Sequence, residues 1–192
     1  MRSRSASTVE TASLERVTVC RTVAKLKHKR IYVVMGVSGS GKTSVGAHLA
    51  DTLGWRFLDA DDFHPEANVE KMSRGEPLDN SDRAPWLTRL REVIEEHLAG
   101  ETPLFLACSA LKVRYRERLR VDERVGFIYL EGSMALIQAR MEAREDHFMK
   151  AEMLRSQFEA LEEPDPSNAL YVSIDQPLES VVGELVRKLE RA

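Results

Sequence analysis

The chain has 192 residues, 43% hydrophobic and 31% charged, the balance of one soluble globular domain and not of a disordered, collagen-like or disulfide-stapled chain. Its 28 basic against 31 acidic residues leave a formal net charge of −3, so no global field draws nucleic acid or an anionic membrane, and an anionic ligand needs a local site. The strongest apolar run, residues 31–37, is strand-sized and far below the roughly 18 to 20 residues of a membrane span. The two cysteines, Cys20 and Cys108, lie too far apart for a CxxC pair and make no disulfide framework, so a reducing, cytoplasmic compartment is expected.

Residues 1–29 mix Ser, Thr, Arg and Lys with no sustained apolar period. They read as an extension before a domain at 30–192; a targeting segment for an organelle is the weaker reading, opposed by Glu10 and Glu15. From residue 30 the pattern becomes regular. Ile31–Met35 is a continuous β-prone run, as in a strand buried on both faces of a parallel sheet. A helix is expected over 42–53, a second strand over 55–59 and a short helix over 65–73. A longer helix from Ser81 or Asp82 to Leu98 carries Trp86, Leu87, Leu90, Val93, Ile94 and Leu98 at helical spacing. A third strand follows at 104–108, a basic helix at 112–120 and a fourth strand at 126–130, after which Ser133 is placed to cap a helix. A polar stretch from Arg144 to about Asn168 precedes a fifth strand at 170–174, and the last helix bears Leu178, Val181, Val182, Leu185, Val186 and Leu189. Strands alternating with helices predict an α/β fold: a five-stranded parallel sheet with helices on both faces and its chemistry at the carboxyl ends of the strands.

Directly after the first strand stands GVSGSGKT, residues 36–43, a full match to G-x-x-x-x-G-K-[ST]. Gly36, Gly39 and Gly41 let the backbone approach phosphate oxygens. The amides of Val37, Ser38, Ser40 and their neighbours form a concave anion site at a helix N-terminus. Lys42 reaches the β- and γ-phosphates of ATP and the Thr43 hydroxyl ligates Mg²⁺. A GTPase reading fails because no NKxD element occurs, and Asp51–Gly54, the one DxxG match, sits at the end of the first helix. The size suits a small-molecule or nucleotide kinase of the adenylate-kinase type.

The second strand ends in DADDFHP, residues 59–65. Carboxylates two residues apart at a strand end point to one side. Asp59 is read as orienting Mg²⁺ through water and Asp61 as receiving the acceptor hydroxyl proton. The competing reading is an acidic loop, with Asp62 capping the helix after Pro65.

Beside the GVSGSGKT loop and DADDFHP stand N-x-x-KM (68–72), GEPLDNSDRAPWL (75–87), CSALK (108–112), HFM (147–149), SQFEALE (156–162) and DQPLE (175–179). In this order and spacing the text resembles the gluconokinases, over about residues 31–190. That resemblance implies an adenylate-kinase-like fold with a mobile lid at about 144–165, a homodimer, and ATP-dependent conversion of D-gluconate to 6-phosphogluconate.

A pocket for gluconate needs cations for a carboxylate and hydrogen-bonding groups for five hydroxyls. Lys112 and Arg116, a helical turn apart, are candidates for the charge, as are Arg83 and Lys71. The competing readings are an ion pair of Arg83 with Asp79 or Asp82 and a solvated helix face for Lys71. Ser109 is placed to meet hydroxyls. Arg140 and Arg144, spaced i, i+4 on entry to the lid, are expected to close over the γ-phosphate, with Arg140 catalytic; a surface pair is the alternative. Contacts of His147 and Gln157 with substrate are implied by the resemblance alone. Asp146 and Lys150 stand where the usual pattern has Gly and Pro, which bears on lid geometry. Two other readings remain open at this stage: a kinase for another polar acid such as shikimate, and a non-catalytic nucleotide-binding regulator.

Overall fold

The computed structural model describes residues 29–143 and 151–191. Five strands, β1 (Ile31–Met35), β2 (Arg56–Asp59), β3 (Leu104–Ala107), β4 (Val125–Glu131) and β5 (Leu170–Ser173), form one sheet in the order β2-β3-β1-β4-β5. Every neighbouring pair runs parallel, with Val33 opposite both Leu106 and Phe127. The α/β prediction of a five-stranded parallel sheet therefore holds. β1 lies at the centre, and the chain crosses the sheet in both directions from it.

The two faces of β1 explain its unbroken apolar run. Ile31, Val33 and Met35 enter one core and Tyr32 and Val34 the other, since successive side chains alternate across a strand. The first core takes the apolar stripe of α3 (Asn80–Ala99) together with Tyr115 and Leu119 of α4 (Val113–Leu119). The second is covered by α1 (Lys42–Leu53), α5 (Met134–Glu142), α6 (Ala151–Ala160) and α7 (Leu178–Leu189). The short helix α2 (Glu66–Ser73) follows β2 through a 3-10 turn, Ala60–Phe63.

Several boundaries differ from the sequence reading for local reasons. α3 begins at Asn80 because the Asp79 carboxylate accepts from Asp82 N–H while the Asp82 side chain accepts from Asp79 N–H, a reciprocal capping box. Asp62 does not cap the helix after it: Pro65 occupies that position without a side-chain bond, and Asp62 belongs to the 3-10 turn. Lys112 precedes α4 in extended conformation instead of opening it. The polar stretch after residue 143 contains α6, which reaches the core through Leu154 and, less deeply, Phe158.

Candidate active site

The carboxyl end of the central strand β1 runs into residues 36–43. Gly36, Gly39 and Gly41 take positive φ angles of 148°, 79° and 92°. A Cβ at Gly39 would lie 2.9 Å from Met141 Sδ and 3.0 Å from Ile137 Cγ2, so α5 packs against bare loop backbone. Gly41 caps α1 with no side-chain hydrogen bond, and the first turn holds no acidic residue. The opening amides and the positive end of the helix dipole are thus left for an anionic ligand. Lys42 Nζ folds over the loop and donates to the Val37 carbonyl at 3.1 Å. Desolvation holds its pKa below the ordinary lysine value, opposed by the nearby Asp61 and Asp59 carboxylates.

Towards the β2 edge the loop meets the acidic pair. Thr43 Oγ1 donates to Asp59 Oδ2 at 2.7 Å, and Asp59 Oδ1 accepts from the Asp61 amide at 3.1 Å. The two carboxylates are neighbours because the chain tightens into a 3-10 turn, and strand alternation plays no part beyond Asp59. The Asp61 carboxylate opens on solvent, yet the cleft walls thin its hydration and Asp59 repels it. Both raise its pKa above the usual carboxylate value, against the pull of Lys42. Among the described residues no group of three or more His, Cys, Asp or Glu side chains is arranged to hold a metal. One hydroxyl touching one carboxylate is nonetheless a hard oxygen set of the kind Mg²⁺ shares with phosphate oxygens and water.

Towards the β5 edge lies a cleft of about 400 Å³ lined by Ser44, Arg140, Ile174, Pro177 and Val181 beside the loop glycines. Arg140 donates through Nη2 to the Ile174 and Gln176 carbonyls. The loop after β5 thus anchors it beside the phosphate loop, on the opposite side from Asp59. A guanidinium plane against proline and aliphatic side chains suits a flat heteroaromatic base.

The other candidates divide by what already engages them. Lys71 Nζ donates to Asp82 Oδ2 at 2.6 Å, an ion pair and not a solvated face. Arg83 Nη1 donates to the Leu78 and Asp79 carbonyls, so it holds backbone where the competing reading had an ion pair with Asp79 or Asp82. Arg116 is buried at 7% exposure, and its Nη1 donates to the Ala110 and Leu111 carbonyls at 3.0 and 3.1 Å. It braces the loop after β3, where Ala110 holds a φ of 42°, and shares no open face with Lys112. Ser109 lies in the same loop, its carbonyl accepting from Gly36 N–H at 3.4 Å. Gln157 is turned onto the phosphate loop: its Oε1 accepts from Ser38 N–H at 2.7 Å. Arg144, His147 and the rest of residues 144–150, where the expected lid begins, lie outside the described residues. The sequence reading assigned no role to Glu162, whose Oε2 accepts from Val113 N–H at 2.6 Å, nor to His64; both sit inside the motif blocks, where their spacing alone names no partner.

A phosphate cradle, a lysine over it, a hydroxyl–carboxylate pair on one side and a base-sized cleft on the other define a phosphate-loop kinase. Residues 38–189 match the shikimate kinase family. The chain is 45% identical over 164 residues to the thermoresistant gluconokinase of Escherichia coli strain K12, covering 84% of this chain and 94% of that protein. It is 44% identical over 163 residues to the gluconokinase of Gluconobacter oxydans strain 621H, covering 84% and 92%. The crystal structure of a gluconokinase from Sinorhizobium meliloti 1021 superposes with a TM-score of 0.77 at 41% identity, covering 85% and 92%. The chain belongs to the gluconokinase family, and it is a kinase that uses ATP.

Proposed function

We propose that this enzyme transfers the γ-phosphoryl group of ATP to the 6-hydroxyl of D-gluconate, giving 6-phospho-D-gluconate and ADP. The observation that carries the reading is the meeting of Lys42, Thr43, Asp59 and Asp61 at the end of β1 and β2, joined to 44–45% identity with two gluconokinases. In this reading the loop amides and Lys42 hold the β- and γ-phosphates. Thr43 and Asp59 hold Mg²⁺, which on binding screens phosphate charge. Asp61 accepts the acceptor proton, and its raised pKa suits that task. Arg140 holds the base. Lys112 and the remaining donors of Arg83 face the substrate carboxylate, while Lys71 and Arg116 support the walls.

A coupled ADP-release assay across gluconate, shikimate, glucose and nucleoside monophosphates tests the assignment. Stoichiometric ADP formation dependent on gluconate is expected; turnover of shikimate in its place, or slow release indifferent to any acceptor, overturns it. A homodimer and a cytoplasmic setting belong to the same reading, the first supported by the family resemblance and the second by the sparse cysteines. Among the described residues no helix is long and apolar enough to cross a membrane. Light scattering at assay concentration decides the oligomeric state.

A further inference from the structure

Among the described residues His64 is the one imidazole beside the Asp61 carboxylate, and its surroundings fix which nitrogen holds the proton. Its side chain is 6% exposed and stacks on Trp86 with ring centroids 4.4 Å apart and planes 9° from parallel. Trp86 is itself pinned, donating through Nε1 to the Ala60 carbonyl at 2.7 Å. Asn68, 5% exposed, donates through Nδ2 to the Asp82 carbonyl at 2.9 Å. A backbone carbonyl only accepts, so this bond settles which end of the amide is nitrogen. The same Nδ2 lies 3.3 Å from His64 Nδ1 and presents its second proton there. Nδ1 must then be the bare, accepting nitrogen. In a neutral ring the proton is left on Nε2, which faces Asp61 Oδ1 at 3.9 Å. Burial holds the imidazole neutral by lowering its pKa, assisted by the charge of Arg83 and opposed by Asp61.

We propose that His64 is a positioning residue: with its tautomer set by Asn68, it aims its Nε2 proton at Asp61 and holds that carboxylate in line with the acceptor hydroxyl. The contact is too long for a full hydrogen bond; a small rotation of the Asp61 side chain closes it. Trp86, Asn68 and the Asp82 carbonyl come from α2 and α3, so the packing of these helices is transmitted to one carboxylate oxygen. The proposal rests on the reading of Asp61 as the acceptor-side base.

The test has a kinetic and a spectroscopic arm. His64→Phe keeps a ring against Trp86 but removes the donor, and His64→Gln restores an N–H near the position of Nε2. His64→Phe is expected to lower kcat by up to about 10²-fold, the scale of a misplaced reacting group, with KM for ATP unchanged and His64→Gln recovering most of the loss. In an Asp61→Asn background His64→Phe is expected to add no further loss, because the two act as a unit. Wild-type kcat in His64→Phe, or losses that multiply independently, overturns the proposal while leaving Asp61 as the base. Wild-type kcat in Asp61→Asn overturns the base reading itself. Nitrogen-15 NMR of the wild-type imidazole depends on neither variant folding: a protonated Nε2 and bare Nδ1 are expected, and the opposite tautomer overturns the proposal.

Discussion

Asp61 sits under two opposing demands, and they make a testable conflict between stability and chemistry. Its folded pKa is raised by thinned hydration and by Asp59. The folded state therefore holds that proton more tightly than the unfolded chain. Stability is favoured below the ordinary carboxylate pKa and is lost as pH rises through the folded value. At neutral pH, without metal or nucleotide, Asp61→Asn should melt at or above the wild-type temperature while lowering kcat by about 10² to 10⁴; a lower melting temperature argues that the carboxylate stabilises the fold. Asp59→Asn should raise the Mg²⁺ concentration for half-maximal rate, because it removes the negative charge and leaves one acceptor oxygen where Asp59 uses two, for Thr43 and for the Asp61 amide. Asp62→Asn, in the outer part of the turn, should change kcat little; a severe effect there would move the acceptor geometry one residue along. Lys42→Ala in a folded protein should nearly abolish transfer, since its charge acts most where charge builds between the β- and γ-phosphates. At this scale the sequence was most informative where function is local. Thr43 and Asp59 meet as their motifs imply, because a loop and a strand end on one sheet bring them together. The bonds of Arg140 to the loop after β5 and of Gln157 to the phosphate loop join positions 34 and 119 apart in the chain, and spacing carries no record of that. Those of Arg116 are local, to Ala110 and Leu111, and helical spacing alone did not name them.

At the scale of elements, the continuous run of β1 and the stripes of α3 and α7 were legible because each buries a long regular pattern. α6 was not, since only Leu154 and Phe158 show its apolar side within a polar stretch. Its C-terminal extension does structural work elsewhere: the Leu111 carbonyl accepts from Glu162 N–H at 2.9 Å, and the Glu162 carboxylate receives Val113 N–H. α4 has no side-chain cap of its own. A carboxylate 49 positions along the chain supplies one and complements the positive end of the helix dipole. Glu162→Ala should therefore lower stability by about 1 kcal/mol, the usual worth of a cap, read from urea unfolding. Glu162→Gln, which keeps an acceptor, should recover part of the loss. Equal stability of both variants with wild type would show the cap to be dispensable. The same contact also couples the segment after α6 to the loop carrying Ser109 and Lys112, so KM for gluconate should rise in Glu162→Ala more than KM for ATP.

For the molecule as a whole, the strand order decides the division of labour. The phosphate loop leaves the central strand, the acidic pair lies towards the β2 edge and the Arg140 cleft towards β5, so in the proposed reading nucleotide and acceptor would approach the γ-phosphate from opposite halves of the sheet. The alternation of elements foretold a parallel sheet but not that order, because crossovers of similar length allow several. The domain boundary at residue 30 can be tested against the packing. Arg30 N–H donates to the Arg124 carbonyl at 2.8 Å, Lys29 Nζ reaches the Glu123 carbonyl, and β1 is paired on both sides from Ile31 onward. Both cores close around residues 31–189. Removing residues 1–28 leaves each of these contacts in place. If these contacts alone hold the domain, the loss should stay on the scale of a change that breaks no packing, about 0.5 kcal/mol, which for a domain this size corresponds to a melting shift of about 2 °C or less. The truncated chain should accordingly keep its melting temperature within that margin and its kcat and KM values near those of the full chain, by differential scanning calorimetry and the ADP-release assay. A larger drop in melting temperature would mean that residues 1–28 dock on the kinase domain. A loss of activity at unchanged melting temperature would place them at the substrate side.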